Sequence, residues 1–148
     1  MSTLRPILLV DDSPRDLELA MNALSLCKLK NDIVPLRDGV EALDWLNQRG
    51  EYAQRESGPP AVILLDLKMP RMDGLEVLRE MRDAPRLKYV PVVIMTSSRE
   101  EQDLIRSYQL GVNAYIVKPV DFAEFVEAVR QAGLFWAVLN ETPPTALG

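Results

Sequence analysis

A chain of 148 residues with a net charge of −5 and a pI near 4.8 has the length of one ordinary domain. Hydrophobic residues at 47% and charged residues at 26% match a globular composition and argue against a disordered tail, a collagen-like repeat or a disulfide scaffold. The acidic balance argues against wholesale binding to nucleic acid or anionic membrane, since both are steered by positive fields.

Cys27 stands alone, so no internal disulfide forms. The absence of histidine removes Ser-His-Asp and Cys-His catalysis, histidine-based zinc sites and the usual switch near neutral pH. No apolar run approaches the roughly 20 residues of a membrane span. The stretch from Met1 to Pro6 does not have the make-up of a signal peptide. A cytoplasmic location is the expectation.

Five short apolar runs alternate with five stretches of helical spacing. Ile7-Leu8-Leu9-Val10 is continuous and β-like, as in a strand buried on both faces. Ser13-Pro14 then supplies a helix cap and a proline at the first helical position, and Leu17, Ala20, Met21 and Leu24 mark one face. The second strand, Ile33 to Leu36, contains Pro35, which cannot donate to a ladder and therefore predicts a sheet edge. Asp38-Gly39 opens a helix through Val40, Leu43, Trp45 and Leu46, with Gly50 as its expected end.

Glu51 to Pro60 has loop composition. Ala61 to Leu65 is the most apolar strand and the expected sheet centre. Leu75, Leu78 and Met81 mark a third helix, stopped by Pro85. A fourth strand is expected over Val90 to Met95, then a helix through Leu104, Ile105 and Tyr108 that ends at Gly111. Ala114 to Val117 is the fifth strand. A last helix begins near Asp121 and runs through Leu139, with Phe122, Phe125, Val126, Val129 and Trp136 on a core stripe. Alternating β and α elements with short links predict a doubly wound α/β domain around a parallel sheet.

In such sheets ligands bind beyond the carboxyl ends of the strands. At those ends stand Asp11 and Asp12 after strand one, and Asp66 and Lys68 after strand three. Thr96, Ser97 and Ser98 come after strand four, and Lys118 and Pro119 after strand five. Clustered carboxylates repel one another unless a cation neutralises them, and oxygen ligands suit a hard ion such as Mg²⁺. A lysine and a threonine in the same place can hold phosphate oxygens. The set suits phosphoryl transfer, in which a carboxylate can itself be the acceptor. Taken singly, each residue has a plainer reading. The Asp pair and Thr96-Ser97 could be helix caps, Asp66 a turn acid and Lys118 a solvated charge.

Four segments together resemble the receiver domain of two-component response regulators. They are Asp11-Asp12, the run Leu64-Leu65-Asp66-Leu67-Lys68-Met69-Pro70-Arg71-Met72-Asp73-Gly74, Met95-Thr96-Ser97 and Val117-Lys118-Pro119. The resemblance covers residues 5 to 133 and implies a flavodoxin-like, CheY-like sheet in the order 2-1-3-4-5. It makes Asp66 the phosphoacceptor. It also implies Mg²⁺ on Asp12, Asp66 and the backbone carbonyl of Lys68, with Asp11 acting mainly through water. Thr96 and Lys118 would grip the phosphoryl group, and a cis Lys118–Pro119 bond is implied. Tyr115 takes the aromatic switch position beside Thr96; a half-buried strand residue is the equal alternative. Lys68 and Ser98, each two residues beyond a site residue, are expected to tune phosphate lifetime.

The expected domain spans residues 1–140 with an extended last helix, and 141–148 form a flexible tail. The stretch after residue 133 is too short for a DNA-binding or enzymatic output domain, so output is expected through protein contact or phosphate relay. Leu134, Phe135 and Val138 fall off the core stripe. With Tyr108 and Tyr115 they suggest a homodimer through the fourth helix, fifth strand and fifth helix. A fold-back of these side chains onto their own domain is the alternative. This ending and the polar loop before strand three look similar to single-domain regulators partnered with bacterial phytochrome kinases.

The expected partner is therefore a sensor histidine kinase, such as a bacteriophytochrome, or a phosphotransfer protein. Alternatives are a phosphorelay intermediate, a phosphorylation-independent adaptor, or an enzyme that turns over an aspartyl-phosphate at Asp66. Dehalogenase-like phosphatases carry a second acid two residues after the nucleophile, where this chain has Lys68, which disfavours the enzyme.

Overall fold

Strand alternation sends the side chains of β1 (Ile7–Val10) to two opposite cores: Ile7 and Leu9 to one, Leu8 and Val10 to the other. The same division runs through β3 (Val62–Asp66), where Val62 and Leu64 part from Ile63 and Leu65. Both strands are buried along their whole length, as continuous apolar runs in a parallel sheet should be. The computed structural model describes residues 5–27, 29–55 and 58–132. Within them β2 (Ile33–Leu36), β4 (Val92–Thr96) and β5 (Ala114–Val117) complete a five-stranded parallel sheet in the order β2-β1-β3-β4-β5. The expected order stands, and Pro35 lies exposed on the edge strand.

The helices α1 (Pro14–Ser25) and α5 (Phe122–Ala132) close one core, built on Leu17, Leu24, Phe125 and Val129. The other core takes Leu43, Trp45 and Leu46 from α2 (Gly39–Leu46), and Val77, Leu78 and Met81 from α3 (Gly74–Asp83). It also takes Ile105 from α4 (Arg99–Ser107). The Ser13 hydroxyl accepts the Asp16 amide and caps α1, and Asp73 with Glu76 forms a reciprocal capping box on α3. No described helix is long and apolar enough to cross a membrane.

Several boundaries and faces depart from the sequence reading. α2 stops at Leu46, and Gln48 takes a left-handed φ of 52°; Gly50 opens a short 3-10 turn over Gly50–Tyr52. β3 and β4 each run one residue further than expected and end on Asp66 and Thr96. On α1, Ala23 fills the buried face and Met21 is only half-buried. Leu104 is 55% exposed and Phe122 43% exposed, because Ile105 and Phe125 take the inward positions on α4 and α5. The domain ends set at 140 and 148, and the placement of Leu134, Phe135, Trp136, Val138 and Leu139, lie outside the described residues.

Candidate phosphoryl-transfer site

Parallel register builds the site. Val10 pairs with Leu65, so the residues that follow them, Asp11 just past β1 and Asp66 at the end of β3, stand side by side. Thr96 pairs with Val117, which brings Lys118 to the same edge, and the Lys118 amide donates to the Thr96 carbonyl at 2.8 Å. The Asp11 amide donates to the Leu36 carbonyl, and its carboxylate accepts the Ser13 amide at 3.0 Å. Gly74 is the tightest point of the frame. A Cβ there would lie 2.3 Å from the Asp66 carbonyl oxygen, so only glycine lets α3 start against the end of β3.

Asp11, Asp66 and Thr96 are buried and Asp12 is exposed. Asp11, Asp12 and Asp66 each offer a carboxylate oxygen, all within 4.8 Å of one another. The Lys118 ammonium lies 2.9 Å from Asp11, 2.9 Å from Asp16 and 3.3 Å from Asp66. Burial, and then the charge of Asp11, push the Asp66 carboxyl up to about 7 against the pull of Lys118. For Lys118 burial opposes the charge, but hydrogen bonds to Asp16 and Asp11 and the field of Asp66 outweigh it. Its ammonium is held above the usual lysine range. One lysine does not match the negative charge gathered here. The donor set of three carboxylates fits a hard divalent cation, which would offset the burial and the Asp11 charge that raise the Asp66 carboxyl.

The Thr96 hydroxyl donates to the Ser98 carbonyl at 3.0 Å, so its proton is held by its own loop. Ser98 caps α4 by accepting the Glu101 amide at 3.2 Å. Lys68, mostly exposed, pairs with Glu101 at 2.9 Å, and the other oxygen of that carboxylate accepts both the amide and the hydroxyl of Ser97. The Lys68 ammonium foremost, and then the Ser97 donors, hold the Glu101 carboxyl below its usual range against some desolvation. Tyr115 is half-buried with the Arg106 guanidinium 4.9 Å over its ring. The Tyr108 ring is covered instead by Arg79 of α3, at 4.9 Å. The Lys118–Pro119 bond is cis.

The structure thus gathers Asp11, Asp12, Asp66 and Lys118 in one cluster and sets Thr96 on the adjoining strand. Lys68 turns to Glu101, and Ser98 serves as a helix cap. Tyr115 and Tyr108 are each covered by an arginine, Arg106 and Arg79 respectively. Two polar partners escape the sequence reading, Asp16 and Glu101. Asp16 carries a signal: it sits one turn into α1, at the helix end that faces the same sheet edge as Asp11.

Residues 7–130 match the family described as response regulator receiver domain. The chain belongs to that family. It is 42% identical over 131 residues to response regulator Rcp1 of Synechocystis sp., covering 88% of this chain and 87% of that one. Among solved structures, the bacteriophytochrome response regulator RtBRR superposes with a TM-score of 0.89 at 57% identity, over 96% of this chain and 85% of that one. The Mn(2+)-bound form of Rcp1 gives 0.73 at 40% identity, with 95% and 99% of the two chains covered. The phosphorylated cyanobacterial phytochrome response regulator RcpA gives 0.75 at 38% identity, with 97% and 100% covered.

Proposed function

We propose that this chain is a stand-alone response regulator that accepts a phosphoryl group on Asp66 from a histidine kinase of the bacteriophytochrome type. The observation that carries the proposal is the buried Asp66 held between Asp11 and the Lys118 ammonium at the carboxyl edge of the sheet. An Asp66 oxygen attacks phosphorus as the donor's P–N bond breaks, and the donor imidazole leaves with that electron pair. Lys118 and the Thr96 hydroxyl take phosphoryl oxygens; for this Thr96 gives up its bond to Ser98, and Tyr115 moves inward after it.

Asp11, Asp12, Asp66 and the Lys68 carbonyl would hold Mg²⁺ or a similar divalent ion. Such an ion supplies charge neutralisation to the phosphoryl oxygens. The Mn(2+)-bound form of Rcp1 supports this assignment. Loss of the group is hydrolysis: water attacks phosphorus, the P–O bond to Asp66 breaks, and the carboxylate is restored. No external substrate is turned over, so the protein is a switch and not an enzyme.

Output belongs to the face of α4, β5 and α5, where exposed Leu104 and Tyr108 support homodimerisation. The partner is tested by mixing the chain with an autophosphorylated bacteriophytochrome kinase. Transfer of label to the wild type and not to Asp66→Asn is expected. Label retained on the kinase contradicts the proposed partner.

A further inference from the structure

Three polar features have no role in the chemistry above: at the site, the Asp16 contact on Lys118 and the Glu101 carboxylate, and at the opposite end of the sheet, the Arg82 guanidinium that ties the end of α3 to the carbonyls of Lys88, Val90, Leu110 and Gly111. Arg82 meets only backbone carbonyls and is a structural tie. Glu101 is different, because it joins the two loops that a phosphoryl group on Asp66 would have to engage. One of its oxygens holds Ser97 through both amide and hydroxyl, at 3.0 and 3.1 Å, and the other holds the Lys68 ammonium. Its own amide is tied to the Ser98 hydroxyl, and the Ser98 carbonyl holds the Thr96 hydroxyl. An unbroken series of polar contacts therefore runs from Lys68, two residues past the acceptor, to Thr96.

We infer that Glu101 is a positioning residue that clasps the Lys68 loop to the Thr96-Ser97-Ser98 loop in the unphosphorylated arrangement and so shortens the life of the phosphorylated one. The inference rests on Asp66 as phosphoacceptor and deepens that reading. Thr96 reaches a phosphoryl oxygen only by leaving Ser98, and the bonds from Glu101 to Ser97 and Ser98 stiffen the loop against that move. Lys68 is equally committed to Glu101, so its charge faces α4. The Glu101 side chain is only 14% exposed, but its bonds to Ser97 lie at the surface and Lys68 is mostly exposed, so each half of the clasp is of modest strength.

The test uses the full chain loaded with acetyl phosphate and Mg²⁺, cleared of donor, and followed by intact mass. Glu101→Gln keeps an oxygen for Ser97 and loses the ion pair, so the phosphorylated form should last about threefold longer, the scale of a part-exposed pair. Glu101→Ala loses both halves and should last longer still. Lys68→Met combined with Glu101→Gln should differ from Lys68→Met by less than Glu101→Gln differs from wild type. Wild-type or shorter lifetimes in both Glu101 variants, or additive effects in the double variant, overturn the inference.

Amide hydrogen exchange at Ser97 tests the clasp without any phosphoryl group. Protection should drop by roughly tenfold in Glu101→Ala, the scale of one lost hydrogen bond to a charged group, and unchanged protection overturns it. A wild type that takes no phosphoryl group at all contradicts the acceptor assignment instead, and leaves the exchange result to decide the clasp.

Discussion

Lys118 lies closer to Asp16, at 2.9 Å, than to Asp66, at 3.3 Å. The lysine that compensates the site's charge is thus shared with a carboxylate on α1, outside the four motifs that define the site. Asp16 is part-exposed, with its side chain at 30%, so its hold on Lys118 is weaker than that of buried Asp11.

Replacing that third partner frees the lysine. Asp16→Asn should leave the fold intact and raise the fraction phosphorylated at limiting acetyl phosphate by about twofold, the scale of one part-exposed ion pair. Intact mass reads the fraction. A fall in that fraction would show that Asp16 aids the reaction instead of competing for Lys118.

The charge on Asp66 makes stability depend on pH. Its carboxyl is raised in the folded chain from an ordinary 3.8 to about 7. Between those values the folded protein holds a proton that the unfolded chain has released, so stability falls as pH rises through that window. Asp66→Asn removes the dependence. Its Tm should match wild type below pH 4 and exceed it above pH 7, by on the order of 2 kcal/mol or roughly 6 °C. Adding Mg²⁺ should narrow the gap at high pH, since the ion stabilises only the charged wild type. Differential scanning calorimetry of both proteins across pH checks the sign.

Gly74 gives a prediction that concerns space alone. A methyl group there would meet the Asp66 carbonyl oxygen and Leu67 Cα, both backbone atoms that cannot swing aside. Gly74→Ala should therefore cost about 1–3 kcal/mol in urea unfolding, the usual scale of overpacking. If Asp66 is the phosphoacceptor, it should also slow phosphorylation, because α3 and Asp66 must separate. An unaltered midpoint would show that the end of β3 yields easily.

Much of this is legible from residue types. Continuous apolar runs mark the buried strands, Pro35 marks the edge, and the acids at strand ends mark the site. All three follow from local chemistry, which a linear pattern carries. Two strand ends fall one residue beyond their apolar runs, because Asp66 and Thr96 are polar yet still paired in the sheet. Leu104 and Phe122 fit the same loose helical spacing as Ile105 and Phe125, and packing alone decides which of each pair turns inward. Glu101 is invisible for another reason. Its two partners come from different loops, and no local pattern pairs Lys68 with a glutamate on a distant helix.

The acceptor assignment is tested most directly by the intact mass of wild type beside Asp66→Asn after incubation with acetyl phosphate and Mg²⁺. One added phosphoryl group on the wild type and none on the variant is the predicted result, with both proteins folded. An adduct on both proteins, or on neither, would contradict Asp66 as the phosphoacceptor.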